Sequence, residues 1–157
     1  LEGKRHIVPN SFDFIIETVG VFTNSDIVFR AAHIMMDKLN NFETNIQSDS
    51  TMINNSDATI DNCFDITLQN EDYTLGKVLE YVLYKKHYAL PSNTISDKSV
   101  TYCGFKKQHP HIDESMIRIA FTTVKEHTDI VNILVAASKD ARGVYEKIST
   151  LFDERDG

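Results

Sequence analysis

Apolar and polar residues alternate from Phe64 to Gln69. Phe64, Ile66 and Leu68 fall on one side of an extended chain, and Asp65, Thr67 and Gln69 on the other. This is the pattern of a half-buried strand. Asn70, Glu71 and Asp72 interrupt it, and Asp72 has the side chain of a helix N-cap. Leu75, Val78, Leu79, Val82 and Leu83 then recur at spacings of three and four, which sets one apolar stripe along a helix. Gly76 lies in the first turns of that helix, where glycine costs about 1 kcal/mol relative to alanine. The compensation expected there is close approach of another backbone.

Before this unit, Phe12 to Val19 also alternates. Phe12, Phe14 and Ile16 share one face and Asp13, Ile15, Glu17 and Val19 the other, which predicts a strand ended by Gly20. Thr23 to Asp26 resembles a capping box with Asp in place of the usual Glu or Gln. Ile27, Ala31, Ile34, Met35, Leu39 and Phe42 form the stripe of the helix that follows. Residues 44–61 are rich in Asn, Ser, Asp and Thr and read as a linker, with periodicity only around Met52 and Ile53. That divides the chain into units 1–43 and 62–157.

After the Leu75 helix come Lys85-Lys86-His87 and a loop around Pro91, Ser92 and Asn93. Val100 to Lys106 is an expected strand, with Val100, Tyr102 and Gly104 on one face and Thr101, Cys103 and Phe105 on the other. His109-Pro110-His111 is a turn. Ser115 to Thr122 is a strand with Ile117, Ile119 and Phe121 on one face and Arg118 and Ala120 on the other. The last element is a long helix capped by Thr128 or Asp129. Its stripe is Ile130, Leu134, Ala137, Ala141, Val144, Ile148 and Leu151, widened by Val131, Ile133, Val135, Tyr145 and Phe152. One small sheet cannot cover that much apolar surface, so a second face is expected to pack on other helices. From residue 62 the order strand, helix, strand, strand, helix predicts an α+β fold, an antiparallel sheet with long helices on one face.

Composition narrows the function. A chain of 157 residues with 41% hydrophobic residues can bury a real core. Its net charge of −7 argues against a broad electrostatic footprint for nucleic acid, so no direct DNA contact is expected. No apolar run approaches the roughly 20 residues of a membrane span, and no secretory signal is present. The start at Leu1 rather than Met is the pattern of a fragment or a processed product. Cys63 and Cys103 match no metal spacing and are expected to be reduced and structural.

Candidate chemistry is sparse. His109, His111 and Cys103 lack the further spaced ligands of a zinc site. Glu71 and Asp72 are adjacent and cannot easily share a focus, and a cap explains Asp72. There is no glycine-rich phosphate loop and no Gly-x-Ser-x-Gly turn. Lys85-Lys86-His87 and Lys106-Lys107 read as solvated faces, or as contacts for an acidic patch on a partner. No catalytic residue, metal or cofactor is expected.

Two segments carry a family resemblance. Glu71-Asp72-Tyr73-Thr74-Leu75-Gly76, after an alternating strand, resembles the acidic-Asp-His-Thr-Leu-Gly-Asn signature of the alpha-like small subunits of multisubunit RNA polymerases. These are the eleventh subunit of polymerase II, the archaeal L subunit and the bacterial alpha amino-terminal domain. Tyr102-Cys103-Gly104-Phe105-Lys106-Lys107-Gln108-His109-Pro110 is similar to the second signature, an aromatic-x-lysine strand ending in His-Pro. Phe14-Ile15-Ile16-Glu17-Thr18-Val19-Gly20 and its capped helix resemble the carboxy-terminal part of the third-subunit and archaeal D type. The chain departs from the pattern at Tyr73 (His in the family), Lys77 (Asn) and Glu80, where relatives commonly carry Arg.

The resemblance implies a D-like tail and an L-like unit joined in one chain, the alpha-like dimerisation fold, and a non-catalytic platform on which the two largest polymerase subunits and other small subunits dock. Such a fusion is expected of large cytoplasmic DNA viruses, African swine fever virus in particular. The location would then be the viral factory and the virion, and otherwise the nucleus. The implied interface residues are Ile27, Ala31, Ile34, Leu75, Gly76, Leu79, Leu134, Ala141 and Ile148. Lys77, Glu80, Lys85 and Lys86 are implied contacts to a large subunit, because in bacterial alpha that helix faces one. The first helix would pack on its own chain or on a second copy, and the isolated chain is expected to self-associate. The alternative is a free-standing homodimeric α+β interaction module.

Overall fold

A computed structural model describes residues 11–88 and 99–153. The strands β1 (Ile53–Asn55), β2 (Cys63–Gln69), β3 (Val100–Lys106) and β4 (Glu114–Phe121) form one sheet in the order β1-β2-β4-β3. Every neighbouring pair is antiparallel. The helices are α1 (Asn24–Ser48), α2 (Tyr73–His87) and α3 (His127–Asp153). This is the expected α+β fold. The loop at Pro91 to Asn93 lies outside the described residues.

The alternating pattern sets the two faces of the sheet. Ile66 opposes Ile117 and Phe64 opposes Ile119. Ile66, Leu68, Ile117, Ile119 and Phe121 join Leu75, Leu79, Leu83, Ile130 and Leu134 in one apolar core. On the opposite face Arg118 makes a two-pronged bond to Asp65, both N···O distances being 2.7 Å. That bond holds the Asp65 carboxyl below its usual range.

Two of the three expected caps form. The Asp72 side chain accepts from the Thr74 amide at 2.9 Å. Thr23 Oγ1 accepts from the Asp26 amide at 3.1 Å, and the Asp26 carboxylate accepts from the Thr23 amide at 3.3 Å. Helix α3 begins at His127, so Thr128 and Asp129 lie inside its first turn rather than at its cap.

Several expectations are corrected. Residues 12–19 form no strand. Phe14 is 85% exposed and Val19 99%. Alternation supplies two faces but not the neighbouring strand that a ladder requires, and no described strand pairs with this segment. The stretch after Thr44 is not an open linker either. Helix α1 runs on to Ser48, a 3₁₀ turn spans Ser50–Met52, and β1 pairs with β2 through Ile53 opposite Ile66. Ile46, Met52 and Ile53 are buried in the core, so their apolar contacts outweigh the polar composition around them. In β3, a bulge between Val100 and Tyr102 turns Val100 into the core opposite Phe121 and leaves Tyr102 on the other face, opposite Ala120.

Gly76 is also explained differently. An added Cβ there would lie 1.9 Å from Phe105 Cε2. The close neighbour is an aromatic side chain from β3, not a backbone. Tyr73 meets the same ring edge-on, with centroids 5.2 Å apart.

Candidate assembly interface

The most extensive helix contact in the fold is between α1 and α3. Helix α1 presents Ala32, Met35, Leu39, Phe42 and Ile46, and α3 presents Ile130, Leu134, Val135, Ala137, Ser138 and Ala141, all buried. Spacings of three and four put each set on one side of its helix. The pairing has polar anchors. Ser138 Oγ donates to the Leu39 carbonyl at 3.2 Å within the buried contact. Arg142 hydrogen-bonds Asn40 and lies 3.4 Å from the Glu43 carboxylate. Lys38 on α1 reaches Glu71, just before α2, at 2.8 Å.

The expected interface residues therefore divide. Leu75, Gly76, Leu79, Leu134 and Ala141 are buried inside the chain, and Ile148 is half-buried. Ile27, Ala31 and Ile34 do not make the intramolecular pairing. They lie on the exposed side of α1, with Ile34 57% exposed. A stripe one residue further round the helix took their place. Their exposure adds to that of Phe12, Phe14, Ile15, Val19 and Val21 before α1, and of Val144 and Leu151 on α3. This is a large amount of uncovered apolar side chain for so small a domain.

The charged side of α2 is already engaged within the chain. Lys77 pairs with Glu80 at 2.5 Å, and Glu80 Oε1 also accepts from the Phe105 amide at 3.0 Å. Lys85 lies over the Tyr81 ring at 5.6 Å, and Lys86 forms an ion pair with Asp140 on α3. The sequence reading missed Phe105, Lys38, Ser138 and Arg142. The family's second signature contains Phe105, but nothing local marks any of these as a partner of another helix.

Among the described residues no group of three or more His, Cys, Asp or Glu side chains is placed to hold a metal ion. The His109 and His111 rings lie 5.2 Å apart in the turn, and the His111 amide donates to His109 Nδ1 at 3.2 Å. Cys63 and Cys103 are free thiols, and burial pushes Cys103 up to about 12. No described helix is long and apolar enough to cross a membrane.

The RNA polymerase Rpb3/Rpb11 dimerisation domain matches residues 63–150, more than half of the chain. The chain belongs to this family. The match runs from the first residue of β2 almost to the end of α3, and it includes both signature segments. Helix α1 and β1 lie outside it. The Rpb3/Rpb11-type domain is that of a non-catalytic polymerase subunit, and its α+β fold is the one seen here. No individual curated protein gives a significant match.

Proposed function

We propose that this chain is a non-catalytic assembly-platform subunit of a DNA-directed RNA polymerase, in which two alpha-like halves pair within one chain. The observation that carries this reading is the α1–α3 contact. A helix from outside the matched domain covers a long apolar face of a domain whose family pairs with a partner. In this reading α1 is the D-like half, β2 to α3 the L-like half, and Lys38–Glu71 and Arg142–Glu43 fix their orientation.

The subunit would dock the two large catalytic subunits and other small subunits through the apolar residues left uncovered, with Lys77, Glu80, Lys85 and Lys86 as a polar contact to a large subunit. The fused arrangement is similar to that expected of a cytoplasmic DNA virus of the African swine fever type. That would place it in viral factories and virions.

The test is an affinity pull-down of the chain, with its natural upstream sequence, from cells making its native partners, read by mass spectrometry. Leu79 and Leu134 are fully buried, so charged substitutions there would test folding rather than docking. Ile34→Asp and Leu151→Asp alter exposed positions instead. Recovery of the two largest polymerase subunits, weakened by either substitution, is the expected result. Recovery of the chain alone would overturn the reading in favour of a homodimeric module.

A further inference from the structure

Strand β3 is an outer strand, so one side of its backbone is turned away from β4. Bare amides and carbonyls on such a side recruit further strands. Here both ends of that side are taken by the chain itself. At one end Val100 forms a parallel bridge with Tyr88, the residue that follows α2. At the other, the Phe105 amide donates to Glu80 Oε1 at 3.0 Å. The second Glu80 oxygen holds the Lys77 ammonium at 2.5 Å. The Phe105 ring packs on Gly76, which fixes α2 close to the strand. Between the two ends, Cys103 faces a shallow groove walled by Tyr81 and Tyr84.

We infer that Glu80 is the guard of this sheet edge. An incoming strand would bring a carbonyl to the Phe105 amide. To do so it must displace a charged acceptor, which makes the stronger hydrogen bond, and leave Lys77 without its partner. The carboxylate itself has no proton to offer an incoming carbonyl. Glu80 thus excludes strand addition at the β3 edge, whether by a second copy of this chain or by an extended peptide.

The probe is a labelled synthetic peptide of residues 100–106, with a copy N-methylated on alternate residues as control. Binding is read by fluorescence anisotropy against the parent chain, Glu80→Gln and Glu80→Ala. Glu80→Gln keeps an acceptor for the Phe105 amide but loses the charge and the Lys77 pair and gains a donor, so it should bind the peptide more tightly than the parent and less tightly than Glu80→Ala. Glu80→Ala should bind it about tenfold or more tighter than the parent, and should not bind the methylated copy. Equal binding by the parent, or rejection by a folded Glu80→Ala, would overturn the inference. If Glu80→Ala does not fold, amide exchange in the parent decides. The Phe105 amide should be strongly protected, and exchange at the free-peptide rate would overturn the guard role.

Discussion

Ser138 on α3 donates its hydroxyl to the backbone carbonyl of Leu39 on α1, and neither residue is accessible to solvent. The bond joins a helix inside the matched family domain to one outside it. Apolar side chains surround it on both helices. Leu39→Ala should therefore cost about 2–5 kcal/mol, as large core truncations do. Ser138→Ala should cost about 1 kcal/mol, because it removes a donor and leaves only a carbonyl short of a second bond. Denaturant melts of the two variants check the ranking.

Gly76 and Phe105 predict an inverted response to a normally helpful substitution. Alanine in a helix is favoured over glycine by about 1 kcal/mol. At Gly76 the added Cβ would meet the Phe105 ring at 1.9 Å, and Tyr73 limits where that ring can go. Gly76→Ala should lower stability by about 1–3 kcal/mol. Phe105→Leu in the same chain should recover part of the loss, and a double-mutant cycle measures the coupling.

Asp65 and Arg118 set part of the acid response. The Arg118 hydrogen bonds lower the Asp65 pKa in the folded state. A lowered folded pKa contributes stability that is fully present above the unfolded value of about 3.9 and is lost as pH falls through the folded value. Asp65→Asn should flatten stability against pH below about pH 4. At neutral pH it should cost about 0.5–1 kcal/mol, since the pair is partly exposed. Urea midpoints across the acid range test both parts.

The cysteines should be silent. Cys63 is buried, and Cys103, its pKa pushed up to about 12 by burial, holds almost no thiolate near neutral pH. Alkylation of the native chain with iodoacetamide near pH 8 should be far slower than in denaturant. Rapid native labelling of Cys103 would contradict the packing of β3 against α2.

What could be read from the sequence follows from how each signal arises. Strands β2 and β4 have one buried and one solvated face, so alternation placed Ile66, Leu68, Ile117 and Ile119 correctly. The same alternation misled at Phe12 to Val19, where a strand pattern has no partner strand. In α1, apolar residues lie on two sides of one helix. Periodicity finds both but cannot say whether Ile34 or Met35 points inward, and packing against α3 decides for Met35. Strand β1 is only three residues long and carries a single inward apolar residue, Ile53, too little for a pattern. The Gly76 conformation was legible as a need for close approach, but the occupant, Phe105, comes from a distant strand. Of the candidate interface, the α3 stripe was legible, whereas its partner residues on α1 were set by three-dimensional fit.

In this structure α1 fills, within the same chain, a face of the dimerisation domain. Hydrogen exchange of α1 amides across a wide range of protein concentration separates this arrangement from packing between copies. Amides from Met35 to Ile46 should be protected to the same degree as those of α3 from Leu134 to Ala141, independent of concentration. Protection of α1 that disappears on dilution while α3 keeps its own would show instead that α1 packs between copies rather than within one.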